Sequence, residues 1–94
     1  MTAAGLLTVE LELGEGSSLK DKRHIIKGML ERIRHRFNVS AAEVGHLDSL
    51  RSAELAVCAV ANDRSYVNSL LDRVLRTIES DPRVSVVESS FEFL

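Results

Sequence analysis

The feature that most constrains the fold of this chain is the order in which its apolar residues switch between the alternation typical of strands and the spacing typical of helices. Apolar and polar residues alternate from Leu7 to Leu13, as they do in a strand with one buried face. After the turn Gly14-Glu15-Gly16, the apolar residues from Leu19 to Phe37 recur at helical spacing over about five turns. The chain is therefore predicted to begin with a half-buried strand followed by a long amphipathic helix.

The remainder of the chain shows the same two kinds of pattern. A strand with small residues is predicted from Asn38 to about Leu47, and the nearly continuous apolar run from Leu55 to Ala61 is typical of a strand covered on both sides. Asn62-Asp63 can cap a second helix, whose apolar residues recur from Val67 to Ile78. Alternation returns from Val84 to Phe93, which predicts a last strand.

The resulting order, β-α-β-β-α-β, predicts an α+β fold of the ferredoxin-like type. With right-handed crossovers it forms a four-stranded antiparallel sheet with two helices on one face. The whole chain, residues 1–94, is interpreted as one such domain. Gly28, inside the first helix, is expected to allow close packing against the sheet. The predicted core residues are Ile26, Leu30, Ile33, Val67, Leu70, Val74 and Ile78.

Composition excludes several classes of protein. The chain has one cysteine, so it has neither an intrachain disulfide nor a cysteine-based zinc site. Its first residues lack the positive and apolar regions of a signal peptide, and no apolar run approaches the roughly 18 residues of a membrane span. We therefore expect a cytoplasmic location.

Charge is distributed unevenly along the chain. The net charge is −2, which taken alone argues against a nucleic-acid-binding protein. Residues 17–37, however, hold seven Lys or Arg against two Asp or Glu, whereas the rest hold five against twelve. The first helix is therefore strongly basic in an otherwise acidic protein, and any functional interpretation must account for it.

The basic residues of the first helix share one face. Lys20, Arg23, Lys27 and Arg34 fall within a stripe about 60° wide at 100° per residue, and Arg36 projects on the other side of the helix. Such a stripe can follow a phosphate backbone or contact an acidic protein, but it can also be merely a solvated face. The candidate nucleic-acid-binding residues are Lys20, Lys22, Arg23, Lys27, Arg34 and Arg36.

No catalytic or metal-binding pattern stands out. Cys58 lies among apolar residues and is interpreted as a buried strand residue, and the three histidines, at eleven-residue intervals, lack metal-ligand spacing. Glu10 and Glu12 share one strand face and could pair as acid and base, but more simply they keep that sheet face hydrated or at an interface. The turn between the first strand and the first helix could bind an anion, yet it lacks the GxxxxGK[ST] pattern, so a tight turn with a helix cap is favoured. Ser17 or Ser18 can provide that cap, and Ser18-Leu19-Lys20-Asp21 resembles a capping box in which Asp replaces the usual Glu or Gln. We expect no enzyme and no cofactor.

Several short segments of the sequence form a recognisable set: the run from Ser18 to Arg23, Arg36-Phe37-Asn38-Val39-Ser40, Ala42-Glu43-Val44-Gly45, Asn62-Asp63 and Asp81-Pro82. On these segments the chain resembles the YlxP-like family of small bacterial proteins (DUF503). It implies a ferredoxin-like fold and a genetic neighbourhood of translation initiation and ribosome-binding factors. It implies no catalytic residues.

Together these observations favour a non-enzymatic accessory factor that binds RNA or the ribosome through the basic helix. A module for an acidic protein partner, or a dimer that binds a small ligand, remains open. The open sheet face also predicts self-association, because the third strand is apolar on both faces, with Leu55, Val57 and Ala59 on one and Ala56, Cys58 and Val60 on the other, and only one of these sets can pack on the helices. Ala42, Val44, Phe91 and Phe93 are expected to extend the uncovered apolar patch, and a homodimer through the open face or its edge is predicted.

Overall fold

The computed structural model describes residues 1–14 and 18–94 and has the predicted order of elements. The strands form one antiparallel sheet in which the second strand of the chain lies at one edge, followed by the third, the first and the fourth, and this order confirms the ferredoxin-like fold. One face of the sheet packs on both helices, and all seven predicted core residues are buried there. No helix in the described ranges is long and apolar enough to span a membrane. The elements are β1 (Ala3–Leu13), α1 (Leu19–Arg36), β2 (Ser40–Gly45), β3 (Ser52–Ala61), α2 (Arg64–Glu79) and β4 (Val84–Phe93).

Strand β1 lies in the middle of the sheet and begins four residues earlier than predicted. Its buried positions alternate as expected from Leu7 to Leu13, and Ala3 to Leu6 continue the pairing with β3. Gly5 is required here because a Cβ at this position would lie 2.7 Å from a methyl carbon of Val67. Helix α2 therefore crosses the sheet in close contact with this end of β1.

The boundaries of the next two strands differ from the prediction. Strand β2 is shorter and ends at Gly45, where the pairing register shifts between Glu43 and Gly45 and His46 turns the chain with φ 59°. Strand β3 begins at Ser52 rather than at Leu55, although its first residues include the polar Glu54. Pairing with the central strand extends β3, because backbone hydrogen bonds to β1 are available along its whole length.

The predicted cap of the first helix is confirmed. Ser18 Oγ accepts a hydrogen bond from the Asp21 N–H at 3.1 Å, and Asp21 Oδ2 accepts one from the Ser18 N–H at 3.1 Å. This reciprocal pair is a capping box in which Asp replaces the usual Glu or Gln. The turn before the helix, for which the sequence favours a tight turn over an anion site, includes residues 15–17, which lie outside the described part of the chain.

The expectation for Gly28 is wrong. A Cβ at Gly28 would meet no heavy atom within 4 Å, so the glycine does not serve close packing against the sheet. It lines an open groove between the helices instead, together with Arg32, His35 and Thr77. Its position on the helical wheel explains this, because it lies about 160° from the buried Ile26 and about 140° from the buried Ile33.

The expectation that Phe91 and Phe93 extend the open sheet face is also wrong. The register of β4 against β1 shifts between Glu10 and Leu11, and Val87 is left without a partner in the ladder. A bulge of one residue reverses which side chains face the core. Phe91 and Phe93 consequently point to the helix side, where the guanidinium of Arg64 lies 4.1 Å from the centre of the Phe93 ring.

Candidate nucleic-acid interface

The outer flank of α1 carries the exposed part of the predicted basic stripe. Lys20, Arg23 and Lys27 are exposed at positions one turn apart, on the side of the helix that flanks its buried face. None of them takes part in an ion pair with the residues that the structure describes. Their charges are therefore available to a partner outside the chain.

Arg34 continues this stripe, but part of its guanidinium is used in hydrogen bonds within the protein. Its Nε and Nη2 donate to the carbonyl oxygen of Ala41 at 3.1 and 2.5 Å. These two bonds tie the guanidinium to the edge strand β2, while the side chain stays exposed. Because a guanidinium has five N–H donors, Arg34 retains donors for an external acceptor and holds them in a fixed orientation.

Lys22 must be removed from the predicted binding surface. Its side chain is fully buried, and its ammonium donates to the His46 carbonyl oxygen at 2.6 Å and pairs with Glu43 Oε2 at 3.1 Å. A charge buried with its own counterion cannot reach a phosphate in solution. Lys22 instead joins α1 to the end of β2 and the loop that follows it.

Arg36 lies apart from the stripe. Its guanidinium is 5.3 Å from the centre of the Phe37 ring, and that of Arg73 on α2 is 5.5 Å from the same ring. Both Arg36 and Arg32 line the groove between the helices. The structure therefore gathers Lys20, Arg23, Lys27 and Arg34 on one flank of α1 and places Arg36 on the other.

A buried carboxylate in that groove was missed by the sequence analysis. Asp81 accepts from Arg32 Nη2 at 3.0 Å and from Arg83 Nη2, Nε and backbone N at 2.7, 3.0 and 2.9 Å. The hydrogen bonds from Arg83 hold the pKa of Asp81 far below its usual range. The only signal in the sequence is an aspartate two residues before an arginine, next to a helix-ending proline.

The remaining candidates lie on the open sheet face or on exposed helix positions. Cys58 is partly exposed on the open sheet face rather than buried. His24 and His35 are exposed, and His46 Nε2 lies 2.8 Å from Glu10 Oε1. Within the described ranges, no three His, Cys, Asp or Glu side chains form a group that could hold a metal ion.

The charged groups of the α1 flank determine which ligands it can bind. It presents two ammonium groups and two guanidinium groups along one side of a helix, and these are donors to phosphate or carboxylate oxygens. From Lys20 to Arg34 the stripe is about 21 Å long at 1.5 Å per residue. Such an array fits an extended polyanion better than a small anion.

Two comparisons with known proteins bear on this chain. Residues 4–91 match the model of a family described as "Protein of unknown function (DUF503)". The chain is also 34% identical over 80 residues to the "Uncharacterized protein YlxP" of Bacillus subtilis (strain 168), a match that covers 85% of this chain and 87% of that protein. Neither description names an activity, a ligand or a partner.

Proposed function

The chain belongs to the DUF503 family, a family of unknown function, and we propose that it is a non-enzymatic, cytoplasmic RNA-binding factor, either on the ribosome or with free RNA. One observation carries the proposal: the exposed cations Lys20, Arg23 and Lys27 have no ion-pair partner among the described residues, while Arg34 is held beside them. Phosphate groups are the acceptors that such a stripe suits best, because each contact releases a counterion.

The sheet face supports a contact through the helix rather than through base stacking. The RNA-recognition motif, which also has a four-stranded sheet, grips single-stranded RNA with aromatic residues on its sheet face. Here that face carries Glu10, Glu54 and Glu88 in adjacent positions, and no aromatic residue points to it in the described part of the chain. An acidic surface without stacking groups repels RNA, which leaves the helix side of the molecule as the candidate contact surface.

Recognition through phosphates predicts two properties of the binding to RNA. Binding should depend on the shape of the RNA more than on its sequence, since the backbone carries no base information. The logarithm of the affinity should fall with the logarithm of salt concentration with a slope of about −2 to −4, which corresponds to three or four phosphate contacts.

The test is a titration of fluorescently labelled RNA hairpins with the protein, followed by anisotropy at several salt concentrations, beside co-sedimentation with ribosomes. The variant Lys20→Gln/Arg23→Gln/Lys27→Gln should lose most of the affinity, and its salt slope should become shallower by about two to three units. The matched control is Arg64→Gln/Arg73→Gln/Arg76→Gln, which removes three exposed charges from α2.

The outcomes are distinct. Equal losses in both variants would mean that net charge, not the α1 stripe, attracts RNA. If wild-type protein binds neither RNA nor ribosomes at low salt, the proposal is wrong. Binding to polyglutamate without binding to RNA would support the alternative of an acidic protein partner for the same surface.

A further inference from the structure

The face of the sheet turned away from the helices changes character along the strands. At one end it is mostly apolar, although Glu92 lies opposite Leu6 there: Leu94 N donates to the Ala4 carbonyl oxygen, and Ala4 pairs with Val60, which is 64% exposed. Toward the C-terminal end of β1, the residues that point to this face become small and polar, and then acidic. We call the first region the apolar end; it consists of Ala4, Leu6, Ala42, Ala56, Cys58, Val60 and Leu94.

The acidic region is a row of three glutamates in direct register. Glu54 on β3 pairs with Glu10 on β1, and Glu10 pairs with Glu88 on β4. Side chains directly opposite each other have Cβ atoms about 4.5–5.5 Å apart, and like charges there destabilise a sheet. We call these three residues the acidic row. The fold places this repulsion on an exposed face, away from the apolar end.

Few groups on this face offset the acidic row. His46 Nε2 contacts Glu10 Oε1 at 2.8 Å, and no Lys or Arg occupies an outward position of the four strands. Glu12 and Glu92 point to the same side, so the face carries five carboxylates. It is therefore opposite in charge to the outer flank of α1.

We propose that this open sheet face docks a basic amphipathic helix of another protein. The apolar end would cover the apolar stripe of that helix, and the acidic row would pair with its Lys or Arg residues. Leu6 and Glu10 lie four residues apart on β1, which is about 13 Å. A helix lying along the strands covers that distance in about nine residues, so a segment of three turns reaches both regions.

A second copy of this chain fits the face less well. The apolar end measures roughly 15 by 20 Å, or about 300 Å², whereas a stable interface buries about 800 Å² on each partner. Stacking the whole faces would place carboxylate against carboxylate. The α1 flank of a second copy would supply cations, yet its exposed residues include no apolar side chain to cover the apolar end.

The probe is a synthetic amphipathic peptide of 16 residues made of Leu and Lys, titrated into isotope-labelled full-length protein and followed by NMR. Shift changes should map to the outward residues of β1, β3 and β4. The variant Glu10→Gln/Glu54→Gln/Glu88→Gln should weaken binding about ten-fold, the factor expected for three exposed ion pairs. The matched control, Glu31→Gln/Asp72→Asn/Glu79→Gln, neutralises three exposed carboxylates of the helices and should retain the wild-type affinity.

Each contrary result overturns the inference. If the control variant weakened peptide binding equally, the peptide would be responding only to the net charge of the protein. If the chemical-shift changes were confined to the helices, the peptide would bind there and not on the sheet face. A dimer in sedimentation equilibrium that becomes monomeric in Val60→Asp would show that a second copy occupies the face. The acidic-row variant should bind RNA as wild type does, so failure here is separate from failure of the RNA proposal.

Discussion

Single residues in this protein join elements that are distant in sequence. Asp81 connects α1 to the turn before β4, because it accepts from Arg32 on one side and from Arg83 on the other. Lys22 connects α1 to the end of β2 in the same way, through Glu43 and the His46 carbonyl oxygen. Both are charged groups withdrawn from water, so the stability of the fold should respond strongly to them.

Asp81→Asn should lower the free energy of unfolding by about 1–3 kcal/mol at neutral pH, since charge-assisted bonds from two arginines are lost. In the wild type, the lowered pKa of Asp81 means that its contribution is complete above the pKa of an unfolded aspartate and is lost as the pH falls. Urea unfolding at pH 7 and near pH 3 should therefore show a smaller difference between the two proteins in acid. An undiminished difference would contradict this account.

Lys22→Met should lower the free energy of unfolding by about 3–5 kcal/mol, because Glu43 would keep its partly buried charge without a counterion. The double variant Lys22→Met/Glu43→Gln should recover much of that loss, since no uncompensated charge remains. Chemical unfolding of the four proteins in this cycle measures the coupling. Simple addition of the two single effects would show that the pair does not interact.

At the scale of elements, two glycines have opposite roles. Gly28 lies in α1 with open space where a Cβ would be, while Gly5 lies in β1 against the side chains of Val67 and Leu71. A glycine inside a helix costs about 1 kcal/mol relative to alanine when packing does not require it. The two positions therefore make a matched pair of substitutions.

Gly28→Ala should raise the free energy of unfolding by about 0.5–1 kcal/mol, because it reduces the entropy of the unfolded chain without a clash. Gly5→Ala should lower it by about 1–3 kcal/mol, because α2 must move away from the sheet. Thermal and urea unfolding check both directions. A loss of stability in Gly28→Ala would contradict the open space at this position.

At the scale of the whole molecule, charge is separated between two faces. The outer flank of α1 is cationic, and the open sheet face carries five carboxylates, although the net charge of the chain is only −2. The two proposed interactions use these opposite surfaces. RNA and a basic protein segment could therefore bind at the same time without competing for residues.

The repulsion within the acidic row can be measured directly. Glu88→Gln should raise the free energy of unfolding by about 0.2–1 kcal/mol, because Glu88 lies opposite Glu10. Glu92→Gln is the matched control on the same strand and the same face, and it should change little because its partner is Leu6. The gain should shrink at high salt. Equal effects of the two substitutions would show that repulsion between Glu10 and Glu88 does not lower the free energy of unfolding.

The sequence by itself determined the order of elements, the buried face of each helix and the capping box of α1. These features depend on contacts between residues close in sequence or on a period that one element repeats, so Leu30 and Val74 could be assigned to the core without a structure. The concentration of cations in the first helix is likewise visible in the chain.

Only the tertiary structure decided which charges are free and which face each strand residue takes. The burial of Lys22 depends on Glu43 in another element, and the environment of Asp81 depends on Arg32, 49 positions away. A bulge of one residue at Val87 reverses the orientation of Phe91 and creates the contact of Glu10 with Glu88. Periodicity cannot reveal a bulge, because the pairing with a neighbouring strand, rather than the strand's own pattern, determines where the register shifts.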